Sequence, residues 1–381
     1  MSNLPVWDDA AWAPLPRLEG QVEADVCVVG LGGSGLACVH ELVRQGARVV
    51  GLDAGMVAGG AAGRNGGFLL AGTALFYHDA VAAFGRQTAR RIYRLTMEQI
   101  DRMAAETPDA VRRVGSLRVA ADDEEAEDCR AQLAAMQADG LPAEWYEGPE
   151  GRGLLIPTDG AYHPLRRCRT LAARAVEAGA RLYEHSLAMS FTPHAVVTPT
   201  GAVSCDRLIV AVDGRLERIF PELRGRVRTA RLQMLATAPT EEVRVPRPVY
   251  YRWGYEYWQQ LPDGRLALGG FRDTAGDREW TEDATPCAEI QDRLEAFLRG
   301  RLGVRAPITH RWAASVSYSD SWLPLLEEVR PRTWALGGYS GTGNVLGALC
   351  GRAAASLALG GRAELAELLA AAAEHAAARR A

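Results

Sequence analysis

Gly30-Leu31-Gly32-Gly33-Ser34-Gly35 carries the GxGxxG spacing of a phosphate cradle. The first glycine permits a tight turn, the second lets backbone approach a pyrophosphate, and the third permits close packing of helix on strand. The free N–H groups and partial positive charge of a helix N-terminus then face the anion. Asp53 follows Gly35 by 18 residues. A carboxylate there accepts hydrogen bonds from an adenosine ribose and disfavours the 2′-phosphate of NADP. A second cluster, Gly59-Gly60-Ala61-Ala62-Gly63-Arg64-Asn65-Gly66-Gly67-Phe68, gives small residues along which an extended cofactor can lie. Arg64 and Asn65 are its candidates for phosphate or polar ring edges. The first cluster leaves FAD and NAD open. The second favours FAD, because an NAD dehydrogenase usually continues with another βα unit at this point. A third cluster, Gly337-Gly338-Tyr339-Ser340-Gly341-Thr342-Gly343-Asn344, opens a helix at Val345. Amides there suit the negative charge of a reduced flavin at its N1–C2=O edge; a simple helix cap is the plain alternative.

From Val249 to Gln260 the chain is rich in aromatics. Unbroken alternation puts Tyr251, Trp253, Tyr255, Tyr257 and Gln259 on one face, and Tyr250, Arg252, Glu256 and Trp258 on the other. Aromatics on such a face enclose an amine, partly through cation–π attraction of about 0.5–2 kcal/mol. Packing of sheet on helix is the alternative for each of them. Tyr257 and Tyr255 are the preferred pocket walls, Tyr339 a third and Trp258 a further candidate. Arg252 is placed to pair with a substrate carboxylate or simply with Glu256. His163, before Pro164 at a helix start, reads as structural. The seven histidines show neither HxH nor HExxH spacing, so no metal is expected. Asp122–Asp128 reads as a solvated helix face.

The elements that must position these residues begin with one βαβ unit. Asp25–Val29 is a buried strand, 36–46 a helix with Leu36, Val39, Leu42 and Val43 on one face, and Arg48–Asp53 the next strand. Further helices are expected over 86–113, 164–180 and 287–302, after Gly343, and in the Ala-rich tail. Strands are expected at 116–120 and near 181–187, 195–198 and 207–212, and 221–275 is mostly extended. This order predicts two α/β (α+β) domains whose segments alternate. The cofactor domain takes 22–90, 151–220 and 310–381; the substrate domain takes 91–150 and 221–309.

Composition narrows the chemistry. With 381 residues, 48% hydrophobic and 24% charged, the chain is neither disordered nor fibrous. A net charge of −4 without long like-charge runs argues against nucleic acid or an anionic membrane as partner. All 43 basic residues are arginine. The absence of lysine excludes a lysine-bound pyridoxal phosphate and a Walker A loop. Seven scattered cysteines without CxxC predict buried thiols in a reducing compartment. The N-terminus has no secretory h-region, and the longest run free of Asp, Glu, Arg and His, Thr333–Gly351, holds six glycines. A soluble cytoplasmic protein without a membrane span is expected.

The lead-in LEGQVEADVCVVG, then AAGRNGGF, YHPL at 162–165, YWQQLPDGRLALGG at 257–270 and GGYSGTG resemble the D-amino-acid-oxidase-type FAD-dependent oxidoreductases. That family includes glycine and sarcosine oxidases, and the likeness is nearest to gamma-glutamylputrescine oxidase-like members. It runs over nearly the whole chain in the family's order. The resemblance implies a p-hydroxybenzoate-hydroxylase-like fold, a Rossmann-like FAD-binding domain interleaved with an antiparallel-sheet substrate domain. It implies that Gly30, Gly32, Gly33, Ser34 and Gly35 hold the FAD pyrophosphate and Asp53 the ribose. Arg64, Asn65, Gly66, Gly67 and Phe68 would run beside the flavin. Leu187, in a strand near the adenine, would give backbone contacts, and Gly341, Thr342, Gly343 and Asn344 would face the pyrimidine edge. The chain also departs from the pattern. Thr342 stands where many relatives have the His of GHG. No Arg precedes Asp320 in Ala314–Pro324 to clamp a substrate carboxylate. Ser315 and Ser317 lie in the segment that carries a flavin-bonding Cys in some relatives, so non-covalent FAD is expected. The expected activity is that of an amine or amino-acid oxidase or dehydrogenase. Hydride passes from the substrate carbon to flavin N5, and the resulting imine is hydrolysed. Its partners are then a small amine or amino acid and oxygen or another electron acceptor. An NAD-dependent dehydrogenase and a catalytically inactive flavin-binding protein remain the alternatives.

Overall fold

A computed structural model describes residues 3–8, 12–192 and 194–379. The chain forms two compact units with alternating segments. A parallel-sheet unit comprises Ala10–Gly63, Pro164–Arg228 and Val316–Ala381; an antiparallel-sheet unit comprises Met1–Asp9, Arg64–His163 and Thr229–Ser315. The expected cuts after 90, 150, 220 and 309 therefore move to 63, 163, 228 and 315. Strand pairing is the reason. Phe68–Leu69 and Val111–Arg112 both pair with Gly160–Tyr162, and Gly151–Ile156 pairs with Ser116–Val119 and Glu144–Gly148.

In the parallel-sheet unit, Gly20–Val29 lies between Gly201–Val210 and Val49–Leu52, parallel to both. Arg181–Tyr183 extends the sheet beyond Val49–Leu52, and Thr333–Gly337 pairs in parallel with Gly201–Val210. Continuous burial of Val26, Cys27 and Val28 fits a strand covered on both faces. Leu18, Val29, Leu52, Leu208 and Phe220 share one buried cluster. The helix Gly33–Arg44 buries Leu36, Val39 and Leu42 and packs along the later helix Leu346–Ala358. Gly351 allows that contact: a Cβ there would lie 2.0 Å from the Ser34 carbonyl oxygen.

The antiparallel-sheet unit is built on eight strands in the order Ile308–Ser319, Val227–Thr237, Leu266–Gly270, Glu256–Gln260, Val249–Tyr251, Ser116–Val119, Gly151–Ile156, Glu144–Gly148. From Val227–Thr237 onward the pairings are antiparallel, except that Val249–Tyr251 runs parallel to Ser116–Val119. One face packs Leu117, Val249, Trp258, Leu266 and Leu268 against Ile290, Leu294 and Leu298 of helix Ala288–Gly300.

The expected alternation across 249–260 is broken. Arg252, Trp253 and Gly254 have φ of 50°, 58° and 82°, a turn that closes a hairpin. Register then pairs Tyr250 with Tyr257 and Val249 with Trp258. Tyr250 thus shares a face with Tyr257, while Trp258 joins the helix-covered core. Asp122–Asp128 is also more than a solvated face. Glu125 is fully buried and accepts the Trp253 amide at 2.6 Å, so it holds the tip of this hairpin. Asp128 accepts from Arg118 at 2.6 Å.

The sequence-predicted thiols are free, and all but Cys287 are buried. Among the described residues no helix is long and apolar enough to cross a membrane.

A buried carboxyl gives this unit a pH signature. Asp159 accepts from Ser116 Oγ at 2.6 Å and from the Ala71 amide at 2.9 Å, yet burial pushes its pKa up to about 7. The folded state then binds this proton more tightly than the unfolded chain. The associated stability is complete below about pH 4 and is lost as pH rises through about 7. The denaturation midpoint is expected to fall over that window, and Asp159→Asn is expected to flatten the fall. An equal slope in the variant would refute the assignment.

Candidate functional site

The first glycine cluster, the expected phosphate cradle, lies within the parallel-sheet unit. Gly30 ends the first strand with φ 98° and donates its amide to Leu52 O at 2.8 Å; a Cβ would sit 2.6 Å from Ala211 O. Gly35 comes closer still, a Cβ there falling 1.8 Å from Gly30 O. The outer side of the loop is open by contrast. Nothing lies within 4 Å of a Cβ at Gly33, and Gly32 would meet only Ala62 Cβ, at 3.2 Å. No side chain caps helix Gly33–Arg44, and no acid lies in its first turn. Uncapped amides beside open space fit an anionic pyrophosphate.

Asp53 is held at the end of the second strand. Its carboxylate accepts the Leu31 amide at 2.8 Å and the Gly55 amide at 2.9 Å, which leaves one lone pair on each oxygen for a ribose. Burial raises its pKa, and the two amides oppose that shift. Leu187 is not in a strand: the strand ends at Tyr183, and the Leu187 side chain is exposed. Its segment still runs beside Asp53, with the Ser186 amide donating to Asp53 O at 2.7 Å. Glu184, which sequence reasoning missed, anchors the whole corner. Its buried carboxylate accepts from Val57 N at 2.6 Å, Trp12 Nε1 at 2.9 Å and Leu15 N at 2.8 Å.

The third glycine cluster belongs to the same unit. The helix starts at Leu346, one residue later than expected, again without a side-chain cap. Thr342 Oγ1 and its amide both donate to Tyr339 O, at 2.7 and 3.0 Å, so Thr342 braces the loop. Asp213 was also missed. It follows the strand Gly201–Val210 with φ 52°, and its carboxylate accepts the amides of Ser317 at 3.2 Å and Tyr339 at 3.5 Å. Burial pushes it up to about 7. Its one sequence signal was an acid directly after the apolar run Leu208–Val212. Ser317 Oγ donates to Asp213 O at 2.6 Å. Tyr339 is not a pocket wall. It is 5% exposed, its ring set against Gly343 and Gly347.

In the antiparallel-sheet unit the loop Arg64–Phe68 is fixed from several sides. Arg64 Nε donates to Ala313 O at 2.8 Å, and Nη2 to Asn3 O at 2.6 Å. These groups are therefore spent on main chain rather than offered to a phosphate. Asn65 Oδ1 accepts the Gly67 amide at 2.8 Å, and Trp7 Nε1 donates to Asn65 O at 2.7 Å. Gln259 Nε2 donates to Gly66 O at 2.6 Å and Gly67 O at 3.0 Å, which ties the loop to the aromatic strand. Nothing in the sequence marked Asn3 or Trp7 for this task. His163 packs edge-on against Trp7, with ring centres 5.4 Å apart.

Phe68, Tyr250 and Tyr257 form a three-ring cluster. Their centres are 5.3, 5.9 and 6.1 Å apart, with near-perpendicular planes. Gly269 makes room for it, since a Cβ there would lie 2.5 Å from the Tyr257 ring. Of the predicted pocket residues, only Tyr257 stands in this cluster. Tyr255 sits in the hairpin turn before Glu256, half-exposed, near Arg252. Arg252 pairs with Glu256 at 2.5–2.7 Å and with Asp273 at 2.7–3.0 Å. Two carboxylates hold the one guanidinium, the plainer of its two expected roles.

An open glycine cradle, a carboxylate held by two amides beside it and a second uncapped glycine loop fit a dinucleotide-binding protein. A family model described as FAD dependent oxidoreductase (DAO) matches residues 25–357, and the chain belongs to that family. It is an FAD-dependent enzyme, and the cradle fits that cofactor. The chain is 29% identical over 376 residues to the probable oxidoreductase OrdL of Rhizobium meliloti, covering 92% of this chain and 86% of that one. It is 28% identical over 375 residues to the gamma-glutamylputrescine oxidoreductase of Escherichia coli, covering 92% and 87%. Its fold is similar to the crystal structure of glycine oxidase from Geobacillus kaustophilus, with TM-score 0.75 and 20% identity over 90% of this chain and 96% of that one.

Proposed function

We propose that this chain oxidises a C–N bond of a small amine, with FAD held non-covalently. The carrying observation is the cluster of Phe68, Tyr250 and Tyr257, fixed to the loop Arg64–Phe68 by Gln259. The relatives named for gamma-glutamylputrescine and glycine support an amine or amino-acid substrate. FAD supplies the hydride acceptor for such a reaction. The protein positions the substrate: the aromatic rings exclude water and hold the amine and its alkyl carbons by cation–π and apolar contact. Gly30, Gly32, Gly33, Ser34 and Gly35 hold the pyrophosphate, Asp53 the ribose, and the loop Gly341–Asn344 the pyrimidine edge of the flavin. Ser315 donates to Glu282 O and Ser317 to Asp213 O, and neither is a thiol able to bond the flavin. The engagement of Arg252 by two carboxylates favours an amine over a simple amino acid that needs a carboxylate clamp. Oxygen or another acceptor completes the cycle.

Tyr257→Ala is expected to raise the amine concentration for half-maximal flavin reduction about tenfold, while Tyr257→Phe stays within about threefold of wild type. Anaerobic stopped-flow bleaching of the flavin absorbance reads both. An alanine variant that saturates like the wild type would contradict the aromatic placement.

A further inference from the structure

Tyr339 presents a hydroxyl that none of the described residues satisfies. The residue is 5% exposed, and among the described residues its hydroxyl closes no hydrogen bond. A buried hydroxyl left unpaired costs stability, so its surroundings bear on what it is for. The helix Leu346–Ala358 shows where the phenol end lies. A Cβ at Gly347 would be 3.3 Å from Tyr339 Cζ and 3.7 Å from Ser34 Cβ. The phenol end and the Ser34 side chain therefore converge on one point of that helix. Burial and the nearby Cys350, Asp213 and Cys38 all disfavour ionisation of this phenol, whereas the Ser34 hydroxyl acts on it in the opposite sense; the Asp213 carboxylate accepts the Tyr339 backbone amide. Ser34 is the second residue of helix Gly33–Arg44, on the uncapped first turn.

We propose that Tyr339 is a positioning residue for the FAD pyrophosphate, its O–H donating to Ser34 Oγ when the Ser34 O–H turns onto a phosphate oxygen. A hydroxyl that donates to an anion becomes a better acceptor, so the two bonds reinforce each other. The orphaned hydroxyl is a cost carried by the apoprotein and recovered on loading. Gly351 supports the arrangement by letting the later helix touch the Ser34 carbonyl, which fixes the first turn against the Tyr339 loop. The inference rests on the reading that the pyrophosphate lies at this turn.

The test uses full-length apoprotein titrated with FAD by calorimetry, with melting of the apoprotein measured alongside. Tyr339→Phe keeps the ring and removes the orphan. The apoprotein is expected to melt at the same temperature or higher, while the FAD Kd rises about three- to tenfold. In a Ser34→Ala background the same change is expected to alter Kd by less than about twofold, because its acceptor is gone. The phosphorus resonances of bound FAD are expected to shift in both single variants. A Tyr339→Phe apoprotein that melts lower or does not fold would overturn the proposal, as would a loss of affinity that persists without Ser34. Gly32→Val separates the two layers. If that variant binds FAD like the wild type, the cradle reading fails. If it loses FAD while Tyr339→Phe binds normally, only the role of Tyr339 fails.

Discussion

Gly32→Val is expected to give a folded protein that no longer retains FAD. Gly32 has φ −87° and ψ −167°, extended backbone that valine adopts without strain. A Cβ there meets only Ala62 Cβ, at 3.2 Å, which a small shift relieves. The apoprotein is therefore expected to unfold within about 1 kcal/mol of wild type. The isopropyl group would instead occupy the open side of the loop, where the proposed placement brings the pyrophosphate to the amides of the first turn. Loss of that approach is expected to weaken FAD by about a hundredfold or more, roughly 3 kcal/mol. Calorimetric titration of the apoprotein reads the affinity, and urea unfolding reads the fold. A valine variant purified with a full complement of flavin would contradict the placement of the cofactor.

Gly35→Ala is expected to fail for the opposite reason. Its Cβ would fall 1.8 Å from Gly30 O, a contact between two backbone segments in which neither can rotate away. The helix must then lift off the strand, dragging Leu36 and Val39 from the core. The expected destabilisation is about 3 kcal/mol or more, at the upper end of overpacking costs. Urea unfolding of the apoprotein tests this without reference to the cofactor. An alanine variant as stable as the wild type would mean that helix and strand are further apart than the contact requires. Gly32 and Gly35, three residues apart, thus separate binding from folding.

Much of this was legible in the sequence because it rests on local backbone chemistry. The run Asp25–Val29, the glycine spacing and Asp53 each act over a few residues, so the βαβ unit and its cradle follow from types and spacing. The domain boundaries were not legible, because strands such as Phe68–Leu69 and Gly160–Tyr162 are too short to show a period. The aromatic hairpin failed for a related reason. Its turn at Arg252-Trp253-Gly254 contains one glycine and two bulky residues at positive φ, chemistry that composition alone does not announce. That turn reverses which residues accompany Tyr257, exchanging Tyr251 for Tyr250. The acids that hold backbone amides were the hardest to read. Glu125, Glu184 and Asp213 look like ordinary surface charge until their amide partners are known. Tyr339, expected as a third pocket wall, instead sets its ring into the space that Gly343 and Gly347 leave, a packing that residue type alone does not announce.

The visible spectrum of the purified protein during anaerobic mixing with a panel of amines tests the central claim most directly. The panel holds gamma-glutamylputrescine, sarcosine, glycine and D-amino acids. The protein is expected to show a flavin band, to release that flavin on acid precipitation, and to be bleached by the amines. Readmitted air then sorts an oxidase from a dehydrogenase by whether the band returns. A flavin band that no member of the panel bleaches would contradict the amine-oxidising account.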